Sequence, residues 1–156
     1  KMFANNEGLF RGFSEIVLAL YQNSELKARY RELAYLRASQ INACHYWIPT
    51  HVMLGQGVGI TKEEVAKMST ANSSDLFDEI DCLVIKYSEQ LTTDNLVDDE
   101  LFKELSLKFS KAEIMELCGS VALSAFVNRF HATFLTPVDD RTTDKVGDIA
   151  YCPIGE

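Results

Sequence analysis

One carboxylate, one thiol and one imidazole fall within a single 20-residue stretch, at Glu32, Cys44 and His51. A thiol reacts as its thiolate, an imidazole can take the proton that the thiol gives up, and a carboxylate can orient that imidazole. The spacing of seven from Cys44 to His51 returns to the same helical face after about two turns. Ser39-Gln40-Ile41-Asn42-Ala43 breaks the helix that carries Glu32, since Ser and Asn compete for backbone hydrogen bonds. Cys44 therefore stands beside an expected helix start, where free N–H groups and roughly half a positive charge favour a thiolate. A packed, inert Cys and His on a buried helix is the competing reading, because free Cys is among the most buried residue types.

Pro49 limits where that second helix can begin. Proline is accepted in the first turn, but deeper inside it removes a bond and clashes. Either the regular helix begins near Trp47, with Cys44 in the loop before it, or its first turn is bent. A metal reading with Cys44, His45 and His51 is disfavoured, because His45 lies about 100° around a helix from Cys44. No cofactor or metal is expected.

The run Arg31-Glu32-Leu33 … Leu36-Arg37-Ala38-Ser39-Gln40-Ile41-Asn42-Ala43-Cys44 … His51 resembles the signature of the alkylhydroperoxidase-D-like, or carboxymuconolactone decarboxylase, family. The redox branch of that family has a Glu, a Cys-x-x-Cys beginning twelve residues later, and a His four residues after the second Cys. Glu32, Cys44 and His51 match these positions. Trp47 stands in place of the second cysteine, and Tyr46 in place of an auxiliary histidine found in some members. The likeness covers roughly residues 2 to 136 in helix order. It implies catalytic roles for Cys44, His51 and Glu32, and an oligomer, a trimer or a hexamer. Tyr46, Trp47 and His131 are the candidate pocket residues, Trp47 as an aromatic wall.

The elements that must position these residues are helical throughout. Phe10, Phe13, Ile16, Val17 and Leu20 form a stripe over 3–21, and Ser24 is a candidate N-cap for the helix bearing Glu32. Leu33, Ala34 and Leu36 fall on one stripe of that helix, and Arg31, Arg37 and Gln40 on another. Gly55 to Gly59 reads as a helix end and turn rather than a phosphate loop, since no Lys-Ser/Thr follows. Thr61-Lys62-Glu63-Glu64 and Ser110-Lys111-Ala112-Glu113 are capping boxes. Further helices are expected from about Asp75 to Leu91, from Asp98 to Phe109, and from Ser110 past Phe126. Asp78, Glu79 and Asp81 read as a solvated surface rather than a metal cluster. His131 and Arg129 close the last helix, where a cation complements the dipole. The expectation is one all-α, alkylhydroperoxidase-D-like domain of six or seven helices over 1–136, followed by a polar tail over 137–156.

Composition narrows the function. The 156 residues carry a net charge of −8, against binding to nucleic acid or an anionic membrane, which needs a basic face. No apolar run reaches the roughly 18 residues of a membrane span. The first residues show no signal-peptide pattern, although a chain beginning at Lys1 leaves a leading segment open. Cys44, Cys82, Cys118 and Cys152 are widely spaced, and Cys82 and Cys118 sit in apolar helical patterns, the profile of reduced core thiols in a cytoplasmic protein.

Three functions compete. A thiol-dependent oxidoreductase would use Cys44 on a hydroperoxide and, lacking a second local thiol, an external thiol reductant or Cys152. A non-redox decarboxylase or isomerase of a small lactone or enol acid would use His51 and Glu32, with Cys44 lining the pocket. A non-catalytic binding member would keep only the fold.

Overall fold

The computed structural model describes residues 2–138 together with 140, 142 and 144. Most of the tail assigned to 137–156, and Cys152 with it, lies outside the described residues. Seven α-helices follow one another, with no strand among the described residues: α1 (Glu7–Gln22), α2 (Ala28–Ile41), α3 (Trp47–Gln56), α4 (Lys62–Lys67), α5 (Glu79–Asp94), α6 (Asp99–Lys108) and α7 (Lys111–Phe134). Short 3-10 turns occupy Met2–Asn5 and Met68–Ser73.

Local chemistry explains the helix boundaries. Asn6, Asp78 and Asp98 cap α1, α5 and α6 with side-chain oxygens that accept from free N–H groups. Both capping boxes form, Thr61 with Glu64 and Ser110 with Glu113. α5 starts at Glu79 rather than Asp75, because Asp78 takes the cap. Ser24 does not cap α2, which begins after Lys27. Its hydroxyl instead donates to Glu116 on α7. That carboxylate also accepts from the backbone N–H of Glu25 and Leu26, so the α1–α2 loop is held by a partner far along the chain.

α2 is the central helix, packed against α3, α5 and α7. Leu33, Ala34, Leu36 and Ala38 are fully buried along it. Polar residues of its second stripe are buried too: Arg31 donates to the Leu20 carbonyl at 3.0 Å, and Gln40 to the Val65 carbonyl at 2.8 Å. Arg37 pairs with Glu89 at 2.7 Å. Buried polar groups persist only with such partners. Asp81, expected at a solvated surface, is buried against Arg29 for the same reason.

α7 meets α2 through a bond between Ser39 Oγ and Ser124 Oγ at 3.0 Å. At Gly119 a Cβ would lie 3.2 Å from Leu20, so that glycine permits the close approach of α1 to α7. Cys118 faces out, contrary to the expectation of a core thiol, and Cys82 is half-buried with its thiol toward the Ala71 carbonyl. No helix among the described residues is long and apolar enough to cross a membrane.

Candidate active site

The end of α2 places Cys44. The N–H of Ala43 bonds the Gln40 carbonyl and that of Cys44 bonds the Ser39 carbonyl, both at 3.0 Å. This is the doubly bonded helix ending that calls for a left-handed residue, and Ala43 supplies it at φ 52°. Glycine is the usual occupant, so the alanine stores about 1–3 kcal/mol of local strain next to the thiol. α3 then starts at Trp47, with the Ile48 N–H bonded to the Cys44 carbonyl at 3.2 Å. Pro49 falls in the first turn, where its missing N–H costs nothing.

Cys44 is consequently in the loop, at the head of α3, and only 5% exposed. Burial pushes its thiol up, against the pull of the backbone N–H groups of Trp47 and Tyr46. The resting group is a protonated thiol, not the ready thiolate that proximity to a helix start alone suggests. Substrate or a base must assist its ionisation.

The base lies one helical turn into α3. His51 Nδ1 is 2.7 Å from Glu32 Oε2, and both side chains are almost wholly buried. A carboxylate accepts, so Nδ1 donates and Nε2 is left with the lone pair for proton transfer. The His51 ring lies flat on Tyr35, centroids 3.5 Å apart and planes 12° apart. Trp47 stands 5.4 Å from His51 by centroid. Arg31 Nε approaches the other Glu32 oxygen at 3.5 Å, and its guanidinium lies 4.1 Å over the Tyr21 ring. No hydrogen bond links Cys44 to His51 among the described residues. Tyr35 is the contiguous group: it stacks on His51, and its phenol is raised by burial and then by the charges of Tyr21, Cys44 and Glu32.

Tyr35, Tyr21 and Arg31 were not evident as site residues from the sequence. Tyr35 had a signal, since it follows Glu32 by one helical turn and so shares its face. Tyr21 and Arg31 had none, because their meeting depends on how α1 crosses α2.

Trp47 is the first residue of α3. It stands edge-on to Tyr35, Tyr46 and His131. His131, from α7, stacks in parallel with Tyr46 at 3.8 Å and 11°. Burial, and then the charge of His45, lowers its pKa from 6.5 to about 4. It is therefore neutral at pH 7, which corrects its reading as a dipole-complementing cation. Because the folded state prefers neutral His131, the stability this preference contributes is complete above pH 6.5 and is lost as the pH falls toward 4. Urea melts of His131→Phe at pH 7 and pH 4.5 should show a smaller loss across that interval than the parent protein; an equal loss would contradict the assignment.

Among the described residues no group of three or more His, Cys, Asp and Glu is arranged to hold a metal ion. The geometry offers a thiol, a carboxylate-oriented imidazole and an aromatic wall.

Residues 7–79 match the Carboxymuconolactone decarboxylase family. None of the curated proteins matches the sequence significantly. Among solved structures, a protein of unknown function from Agrobacterium tumefaciens, named as a candidate antioxidant defence protein AhpD, superposes with a TM-score of 0.80 at 22% identity, covering 88% of this chain and 94% of that one. The debrominase Bmp8 superposes with a TM-score of 0.80 at 16% identity over 94% of this chain and 80% of that one. An uncharacterised peroxidase-related protein from Silicibacter sp. TM1040 gives a TM-score of 0.79 at 15% identity, over 94% of this chain and 77% of that one. At these identities the structures share the fold.

Proposed function

For a chain whose residues 7–79 match the carboxymuconolactone decarboxylase family, we propose a one-cysteine, thiol-dependent oxidoreductase that reduces a hydroperoxide. The observation that carries this reading is the buried 2.7 Å Glu32–His51 pair, with His51 on the helix that begins just beyond Cys44. His51 accepts the proton of Cys44 as the hydroperoxide binds, by way of water or the substrate's own oxygen. The thiolate attacks the distal peroxide oxygen, the O–O bond breaks, and the departing alkoxide takes a proton to leave as an alcohol. Sulfur has then lost two electrons and is a sulfenic acid. An external thiol attacks that sulfur and water leaves. A second external thiol frees Cys44 and departs as the disulfide.

Trp47 supports external rather than internal resolution, because an indole cannot replace the second sulfur. Steady-state assay tests this: turnover should run on a monothiol such as 2-mercaptoethanol and vanish in Cys44→Ser. Turnover retained in Cys44→Ser would assign it to another thiol, and no hydroperoxide turnover in the parent protein would move the reading to acid–base chemistry at His51 and Glu32, which the raised pKa of the Cys44 thiol favours.

Trp47→Cys should restore a local dithiol, given that the family pattern places its second cysteine there. Removal of the indole opens a cavity costing about 3–5 kcal/mol, so Trp47→Ala is the reference. Dithiol-driven turnover of Trp47→Cys should exceed that of Trp47→Ala by about tenfold or more if the two sulfurs reach disulfide geometry. Equal rates in two folded variants would count against the thiol reading.

The same reading includes a homo-oligomer, a trimer or a hexamer, supported by the exposed Leu9, Phe10, Ile16 and Leu18 on α1.

A further inference from the structure

A cavity of about 350 Å³ opens beside Trp47. Its walls are mostly rings, from Phe3, Phe10, Phe13, Tyr46, Trp47 and His131. Phe3 and Phe13 lie parallel, 4.7 Å apart and within 6°, as Tyr46 and His131 do at 3.8 Å and 11°. No Lys, Arg, Asp or Glu lines it among the described residues, and His131 is neutral at pH 7. A space so lined penalises a charged ligand, which loses its water and gains no counter-charge. Flat ring faces reward a flat π-system. The volume lies at the small end of the range for ligand sites, enough for one ring or two fused rings.

A second, independent observation points to a ligand. Trp47 Nε1 and His131 Nδ1 are buried without a hydrogen-bond partner among the described residues. Both atoms belong to rings that line the cavity, and buried polar groups normally have partners. Both nitrogens are buried, so pairing with a bound molecule requires the ring to turn toward it. The indole N–H donates only, so the molecule must present an acceptor.

We propose that this cavity binds an uncharged, planar aromatic or heteroaromatic molecule bearing a hydrogen-bond acceptor, and that such a group is the organic part of the substrate. The last clause rests on the proposed role of Cys44. The cavity speaks against a small organic acid as the ligand, for want of a cation.

Trp47 is the only tryptophan of the chain, so its fluorescence reports on this cavity alone. The test is a titration of the Cys44→Ser protein, which lacks the Cys44 thiol. Benzamide, benzoate and cyclohexanecarboxamide serve as the flat neutral, flat charged and non-planar neutral probes. Benzamide should change the Trp47 emission saturably with a Kd of about 1 mM or below, and each of the other two should bind at least about tenfold more weakly. Phe13→Ala should weaken benzamide about tenfold; should that variant not fold, the three-probe series decides by itself. Absence of saturation at about 10 mM benzamide, or equal affinity for the three probes, overturns the proposal. Benzamide binding without any hydroperoxide reactivity at Cys44 in the parent protein would remove the thiol reading and leave the cavity assignment standing. The opposite pattern would remove only the cavity assignment.

Discussion

Glu32→Gln should lower hydroperoxide turnover by about 10²–10⁴-fold, the range that a lost acid–base partner commands. The amide has the size of the carboxylate, and its oxygen can still accept from His51 Nδ1, so the ring can keep its place on Tyr35. What disappears is the negative charge that stabilises the imidazolium once His51 has taken the proton of Cys44. Arg31, 3.5 Å from Glu32, also loses its ionic partner but keeps its bond to the Leu20 carbonyl and its seat on Tyr21. The stability loss should therefore be modest, about 1–3 kcal/mol for a weakened buried contact to a charged group. Stopped-flow kinetics beside a thermal melt separates the two effects. Unchanged rates in a folded Glu32→Gln protein would reduce the pair to a structural contact.

Arg29→Ala should unfold the protein most readily, with a cost of about 3–5 kcal/mol for stranding buried charges. Arg29 Nε and Nη2 reach both oxygens of Asp81 on α5, and Nη2 also meets Glu64 on α4. Its Nη1 donates to the Gly59 carbonyl at 3.1 Å. One guanidinium thus ties α2, α4, α5 and the turn after α3, while Glu64 and Asp81 are both buried. Burial raises the Glu64 carboxyl, but bonds from Arg29 and Thr61 outweigh it and hold the group below its ordinary range. A depressed carboxyl contributes stability that is present above its unfolded pKa and is lost as pH falls through the folded one. Urea denaturation at pH 7 should show the full loss in Arg29→Ala, and part of it in Arg29→Lys, which keeps the charge but not the planar fork. A loss below about 1 kcal/mol, the scale of an exposed pair, would show that solvent already screens the cluster.

The sequence made the helices legible wherever a boundary has a local chemical cause. Both capping boxes form where Ser or Thr precedes Glu at the right spacing, and Pro49 alone moves the start of α3 to Trp47. Boundaries set from afar were not legible: Ser24 is drawn away from capping by Glu116 on α7. The burial of α2 was hidden because its polar residues find partners such as Asp81, Glu89 and the Val65 carbonyl, 25 to 52 positions away. Cys118 was misplaced because α7 is apolar around much of its circumference, so an apolar neighbourhood in sequence does not identify the buried face. The Glu32–His51 pair was expected only through the family resemblance, since periodicity cannot say that two helices set these side chains against each other. The burial that raises the Cys44 thiol agrees with the packed-cysteine alternative, between which and a thiolate the local residue types could not choose.

The central claim is that Cys44 is the sulfur that reacts. Its most direct test is treatment of the native protein with one equivalent of cumene hydroperoxide, trapping of sulfenic acid with dimedone, and peptide mapping by mass spectrometry. The account predicts the adduct at Cys44, without a disulfide to that residue, despite its 5% exposure beside the exposed Cys118. Oxidation confined to Cys118 or Cys82, with Cys44 intact, would contradict it.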